Sequence, residues 1–148
     1  MDDYMKYEAD CERIRQENGV LLDKFAKYMQ TKKLSESTIK THFSNADFYI
    51  NEFLLYEKAN EAKNGTSEIG TFLGHWFIRK AMWSSVNQIK VTAASLKKFY
   101  TFMYENGQID KEKLDDLYDI IKDEMPDWVD AMKRYDDDDD DDAPSSWL

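Results

Sequence analysis

Histidine and cysteine are the side chains in this sequence of 148 residues whose chemistry is easiest to recognise, and both are scarce. Cys11 is the single cysteine, so neither an intramolecular disulfide nor a pair of thiolate ligands is available. His42 and His75 fall on different predicted helices, and neither belongs to an HExxH motif. We therefore predict no metal site, and we expect each histidine to be a partly buried ring with a structural hydrogen bond.

Other catalytic patterns are not recognisable in the sequence either. Gly65, Gly70 and Gly74 lack the Gly-Lys-Ser/Thr ending of a phosphate-binding loop, and Ser84 and Ser85 do not sit in a G-x-S-x-G elbow. Carboxylates are plentiful near the C-terminus, but they recur mainly on the outward side of a predicted helix, and no pair is singled out for acid–base work. The sequence predicts no catalytic residue, no cofactor and no enzymatic activity.

The elements that carry these residues are predicted to be helices throughout. Apolar residues recur with helical spacing, only two prolines occur, and no alternating strand pattern is bounded by turn residues. The predicted fold class is all-α. A first helix is expected over residues 4–18, ending at the Glu-Asn-Gly of residues 17–19, and a second over residues 20–31.

Capping residues mark the helices that follow. Ser35 is a good N-cap for a helix with a long apolar stripe, and Ser85 with Gln88 three residues later forms the sequence pattern of a capping box. The helix that begins after Ser85 is expected to end at Asn106 and Gly107.

Two glycines and a proline shape the remaining predictions. Gly70 and Gly74 lie four apart inside a predicted helix, where each costs about 1 kcal/mol of helix propensity, so we predict that another helix crosses closely there. An acidic helix capped by Asp110, with Tyr118 among its inward residues, is expected to stop before Pro126. A last helical turn after the proline is expected to dock two apolar side chains, Trp128 and Met132.

Charge is distributed unevenly along the chain, whose net charge is -10. Residues 20–107 carry 12 basic and 8 acidic side chains, net +4, whereas residues 1–19 carry net -3 and residues 108–135 net -4. The aspartate run of residues 136–142 adds -7. We predict that residues 136–148 form an unstructured acidic tail, which serves either solubility or interaction with a partner.

Targeting features are also absent from the sequence. The N-terminus lacks the basic-then-apolar layout of a secretory signal, and no apolar run approaches the ~18 residues that a membrane span needs. We expect a cytoplasmic protein without a membrane partner.

Residues 25–54 and 69–109 together resemble the SAM-like core-binding (N-terminal) domain of tyrosine recombinases and phage integrases. The family pattern has a Leu-Ser-x-x-Thr-Ile start to its second helix and a last helix that closes on aromatic residues and Gly-x-Ile. The matching positions are Leu34, Ser35, Thr38, Ile39, Leu96, Phe99, Tyr100, Phe102, Met103, Gly107 and Ile109.

The resemblance implies a four-helix unit that clamps duplex DNA with its second and fourth helices. The catalytic domain that follows in the family has no counterpart in the residues after Ile109, so recombinase activity is not expected. The residues that the resemblance assigns to DNA contact are Lys40, Thr41, Lys90, Lys97, Lys98 and Thr101.

The sequence is therefore divided into an N-terminal helix (1–19), an integrase core-binding-like domain (20–109), acidic C-terminal helices (110–135) and an acidic tail (136–148). Two functions remain open at this point. The first is a non-catalytic module that binds double-stranded DNA, acting in recombination or regulation. The second is a helical module without DNA binding, whose acidic flanks and tail bind a protein partner.

Overall fold

The computed structural model describes the backbone of residues 2–141 and the side chains of residues 2–137. Within this range the chain is built from helices and loops and contains no strand, so the predicted all-α fold class is confirmed. The five helices are α1 (Asp3–Thr31), α2 (Glu36–Asp47), α3 (residues 69–80), α4 (Val86–Glu105) and α5 (Lys111–Asp141).

Two of these helices contain wider, π-helical turns. α2 continues without a break into Phe48–Phe53, and α3 consists of Ile69–Thr71, the π-helical Phe72–Trp76 and Phe77–Lys80. Such turns accommodate an extra residue inside a helix and rotate the side chains that follow.

The predicted helix end at residues 17–19 is wrong, because α1 runs through Gly19 as one helix. Asn18 is buried, and its side-chain amide donates to the Ile50 carbonyl at 3.3 Å and to Asn51 Oδ1 at 2.8 Å. Apolar residues before and after it are also buried. Packing on both sides of the glycine therefore outweighs the local tendency of Glu-Asn-Gly to end a helix.

The N-caps predicted at Ser35, Ser85 and Asp110 are confirmed, but among the described residues no bond joins the Ser85 backbone amide to the Gln88 side chain, so the capping box is formed only in half. The side-chain oxygens of Ser35, Ser85 and Asp110 each accept a hydrogen bond from the backbone amide three residues later, at 3.2, 3.0 and 2.9 Å. α4 ends before Gly107, which has a φ of +75° that glycine adopts without strain. These local signals set where α2, α4 and α5 begin and where α4 ends.

The core is rich in aromatic side chains that pack edge to face. Phe25 of α1 meets Phe99 of α4 at a ring-centroid distance of 5.2 Å. Two buried tyrosines tie the loop between α2 and α3 to this core, since the Tyr49 hydroxyl donates to the Gly65 carbonyl (2.6 Å) and the Tyr100 hydroxyl to the Ala62 carbonyl (2.8 Å). These bonds hold the loop, which contains a short 3₁₀ helix (Ala62–Asn64), against the core.

The predicted stop before Pro126 is wrong, because α5 continues through the proline. A proline inside a helix removes one hydrogen bond and costs about 3 kcal/mol. Trp128 and Met132, beyond it, are only 2% and 1% exposed, so the prediction that they dock is confirmed. Burying each contributes about 1.5–3 kcal/mol, which offsets the cost of continuing the helix.

The predicted helix crossing at Gly70 and Gly74 is confirmed, and the crossing helix is α5. A Cβ atom at Gly74 would lie 2.8 Å from Cδ1 of Trp128, and one at Gly70 would lie 2.7 Å from Oε1 of Glu124. At Gly74 the neighbour is a buried indole ring, so glycine is required for this close approach, whereas at Gly70 the flexible end of Glu124 could move aside.

The acidic run begins inside α5, which ends at Asp141. The prediction of an unstructured tail is therefore wrong for residues 136–141, while residues 142–148 lie outside the described residues. Extending an existing helix adds a hydrogen bond per residue without a new nucleation step, and the docked residues before the run supply that nucleus.

Candidate nucleic-acid interface

A buried polar cluster joins α2 to α4. The Ser95 hydroxyl is fully buried and lies 2.7 Å from Nδ1 of His42, accepts a hydrogen bond from the Asn45 amide at 3.0 Å, and donates to the Val91 carbonyl at 3.1 Å. These bonds hold α2 and α4 side by side in one register. The predicted structural role of His42 is confirmed, whereas His75 is exposed on α3 and the same prediction is wrong for it.

Four of the six residues that the resemblance assigns to DNA contact lie on α4. Lys90, Lys97 and Thr101 are spaced by seven and four residues, so they share one side of the helix. Lys98, the residue after Lys97, is rotated by about 100° around the helix axis, toward α2. Lys90 is exposed, and the other three are half-buried.

The α5 side of this face is formed by Tyr118. The Lys97 ammonium lies 5.3 Å from the Tyr118 ring centroid, and the Tyr118 hydroxyl lies 2.8 Å from Oγ1 of Thr101. Tyr118 is 39% exposed, so the prediction that it points inward is wrong. The aromatic ring attracts the ammonium and keeps it at the outer edge of α4.

Acidic residues of α5 lie close to the same edge. Asp115 and Asp119 line a shallow depression together with Thr101 and Tyr118. Asp115 is already paired with Lys111 at 2.7 Å, which reduces its field at Lys97.

The two predicted residues of α2 are placed differently from each other. Thr41 is exposed and directly precedes His42, which faces α4. Lys40 lies two residues before His42, about 200° around the helix, and therefore points away from α4. Lys90, Lys97, Lys98 and Thr101 therefore lie along α4, with Lys97 and Thr101 beside α5, while Thr41 is exposed on α2 and Lys40 lies on the side of α2 that points away from α4.

The lysines of this face have no acidic partner at close range. Among the side chains of residues 2–137, none of Lys40, Lys90, Lys97 and Lys98 lies within 4.0 Å of a carboxylate. We call Lys90, Lys97 and Lys98 the α4 lysine face.

The sequence did not predict two features of this surface. The Ser95 cluster was missed, although Asn45 and Ser95 are polar residues adjoining the apolar stripes of their helices, which is a usable signal. Nothing in the sequence indicated that Tyr118 would leave the inward face of α5 to contact Lys97.

Comparisons with known proteins add no relative to this picture. No protein-family model matches the chain, and no curated protein and no solved structure was found to match it. What is established is an all-α protein in which a lysine-bearing helix pairs with α2 through a buried polar cluster. In the part of the chain that the structure describes, no helix combines the length and the apolar character that crossing a membrane requires.

We expect His42 to make stability fall as the solution becomes acidic. Burial of the ring, and secondly the positive charge of Lys98, lower the pKa of His42 below its ordinary value. The unfolded chain, with an ordinary pKa of about 6.5, then binds the proton more readily than the folded chain as the pH drops below about 7. Urea unfolding of the wild type should show a lower free energy of unfolding at pH 5.5 than at pH 7.5.

The matched variants are His42→Asn and His75→Asn. His42→Asn should flatten the dependence on pH over this interval, whereas His75→Asn, on the exposed side of α3, should keep the wild-type slope. An unchanged slope in His42→Asn would remove this histidine as the cause.

Proposed function

We propose that this protein is a non-catalytic module that binds double-stranded DNA through the α4 lysine face. Its helices would form a SAM-like unit similar to the core-binding domain of tyrosine recombinases. The observation that carries the proposal is that three lysines share one helix face and have no carboxylate within 4.0 Å among the described side chains. Such a face can exchange counterions with phosphates.

The lysines are the groups that would hold the phosphates. The hydroxyls of Thr41 and Thr101 donate to the carbonyls of Ser37 (3.0 Å) and Lys97 (2.7 Å), so their hydrogens are already used. Contacts of lysine with phosphates position a protein on the duplex and carry no base sequence. The proposed binding is therefore largely independent of DNA sequence.

The acidic surroundings limit the strength of this binding. The chain carries a net charge of -10, and Asp119 of α5 lies beside Thr101 at the edge of the face. At low salt the local lysines dominate close contacts, whereas added salt screens their attraction for DNA. We expect binding that is weak at physiological salt and clear at low salt.

The test is a fluorescence-anisotropy titration of a labelled duplex at low salt. The variant Lys90→Glu/Lys97→Glu/Lys98→Glu should lose affinity by about tenfold or more, because three phosphate contacts become repulsive. The matched control, Lys24→Glu/Lys27→Glu/Lys122→Glu, makes the same change in net charge at exposed positions of α1 and α5.

The control separates a local site from overall charge. It should lose much less affinity than the α4 variant, and circular dichroism should show the wild-type helix content in both. Equal losses in the two variants would contradict a site on α4.

A second candidate function rests on the length of α5. Its acidic run continues the helix as far as Asp141, which suits an acidic helical surface for a basic protein partner. A full-length chain with asparagine at positions 136–142 should then recover fewer basic proteins from an extract than the wild type. Equal recovery would remove the run from the account.

A further inference from the structure

A second surface that carries unpaired cations lies apart from the α4 lysine face. The segment after α2 and the outer side of α3 enclose a cleft of about 490 Å³. This volume is in the range of ligand and anchor pockets. Its lining includes aromatic residues, cations and two carboxylates: Phe53, Tyr56, Trp76, Lys58, His75, Arg79, Lys80, Glu57 and Glu68.

Aromatic rings form one wall of the cleft. The Trp76 ring lies edge-on to Phe53 and Tyr56, at centroid distances of 5.3 and 5.5 Å. Tyr56 is about half exposed, so an apolar side chain entering the cleft would contact its ring. The indole N–H of Trp76 is buried and has no acceptor among the described residues.

Two ammonium groups at the cleft are free to bind an anion. The Lys80 Nζ lies 5.3 Å from the Tyr56 ring centroid. Neither Lys58 nor Lys80 has a carboxylate within 4.0 Å in the described part of the chain. Arg79 is already engaged, since it donates to the His75 carbonyl at 3.2 Å and lies 5.9 Å from the Tyr135 ring centroid.

An exposed apolar tip follows the cleft in the chain. Met82 is 99% exposed and Trp83 is 52% exposed, in the loop between α3 and α4. Trp83 packs on Phe48 at 5.1 Å, and Phe48 packs on Trp76 at 5.6 Å between ring centroids. The tip and the cleft therefore share one aromatic support. Exposed tryptophan, tyrosine and methionine are typical of protein interfaces.

We propose that this cleft and tip bind an acidic segment of a partner protein that carries an aromatic or aliphatic anchor. The anchor would lie against Tyr56 and Trp83, and acidic side chains of the segment would pair with Lys58 and Lys80. Charge carries this choice, because three cations of the lining, Lys58, Arg79 and Lys80, outnumber its two carboxylates, Glu57 and Glu68.

A peptide fits this surface better than nucleic acid does. Glu57 and Glu68 in the cleft lining would repel a continuous phosphate backbone, whereas a peptide can place its carboxylates beside the two lysines only. The exposed side chains of the tip, Met82 and Trp83, also carry no charge that could bind a phosphate.

The test uses the full chain and a short fluorescein-labelled peptide rich in glutamate with one central tryptophan. We expect saturable binding, measured by anisotropy, that weakens about tenfold or more in Lys58→Glu/Lys80→Glu. Trp83→Ala should weaken it as well, and a peptide with glutamine in place of glutamate should bind less well. Lys24→Glu/Lys27→Glu is the matched control and should bind like the wild type.

Failure of this proposal is distinguishable from failure of the DNA proposal. The variant of the α4 lysine face should keep its affinity for the peptide, because the cleft is lined by other residues. Loss of peptide binding in that variant, equal loss in the Lys24 and Lys27 control, or no saturable binding would overturn the proposal.

Three further outcomes would overturn the proposal, and each would assign the cleft to a different occupant. DNA affinity that falls in Lys58→Glu/Lys80→Glu while peptide binding does not would assign the cleft to nucleic acid. Peptide binding that appears only with asparagine at positions 136–142 would assign it to the chain's own acidic run. Dimers in sedimentation that Trp83→Ala abolishes would assign it to a second copy.

Discussion

Replacing Trp128 by alanine is expected to lower the free energy of unfolding by about 3–5 kcal/mol. The indole is 2% exposed and lies against Gly74 of α3, so its removal leaves a cavity in the contact between α3 and α5. The surrounding helices are held by other core contacts and can close that cavity only in part. Urea denaturation followed by circular dichroism measures the loss.

Met82→Ala is the control for this variant, because the Met82 side chain is 99% exposed. It should change the free energy of unfolding by no more than about 0.5 kcal/mol. A loss below about 1 kcal/mol in Trp128→Ala would mean that α5 contributes little to the fold.

Two glycine-to-alanine substitutions are expected to act with opposite signs. At Gly74 the added Cβ would lie 2.8 Å from Cδ1 of Trp128, a rigid and buried ring, so Gly74→Ala should cost about 1–3 kcal/mol through overpacking. At Gly19 nothing lies within 4 Å of an added Cβ, so Gly19→Ala should stabilise α1 by up to about 1 kcal/mol.

Thermal and urea unfolding of both variants measure the difference. The comparison isolates the helix crossing, because the two glycines lie inside helices and the chemical change is identical. Stabilisation by Gly74→Ala would contradict the close approach of α3 and α5.

The position of α5 matters for function as well as for stability. The same helix that docks Trp128 on α3 carries Tyr118 to the edge of α4, where the ring lies beside Lys97. A chain that loses the contact at Gly74 is therefore expected to change the surroundings of the α4 lysine face too.

Local signals explain what the sequence predicted well. An N-cap is a bond between a side chain and an amide three residues away, so Ser35, Ser85 and Asp110 could be identified without knowledge of the fold. The crossing at Gly70 and Gly74 was also predictable, because two glycines in a helix need a packing reason.

Contacts between distant residues explain the predictions that failed. Glu-Asn-Gly and Pro126 are both local signals for a helix end, and both are overridden by packing. Asn18 bonds to residues of α2, and the proline is followed by side chains that bury themselves on α3. Such gains depend on which helices meet, and a single sequence does not contain that information in local form.

The predictions for the candidate site can be divided in the same way, into those that follow from local spacing and those that depend on how the helices pack. Lys90, Lys97 and Thr101 share a side of α4 because their spacing follows the helical period. The direction of Lys40 depends on which side of α2 meets α4. The exposure of Tyr118 depends on how α5 is rotated about its axis against α4. Neither orientation is encoded in the spacing of these residues alone.

The salt dependence of duplex DNA binding tests the central claim most directly. If the α4 lysine face neutralises three phosphates, the logarithm of the association constant should fall with the logarithm of salt concentration with a slope of about -3. The variant Lys90→Glu/Lys97→Glu/Lys98→Glu should lose most of that slope together with its affinity. A wild-type chain that does not bind duplex DNA at low salt, or a slope that the variant leaves unchanged, would contradict the proposed DNA-binding face.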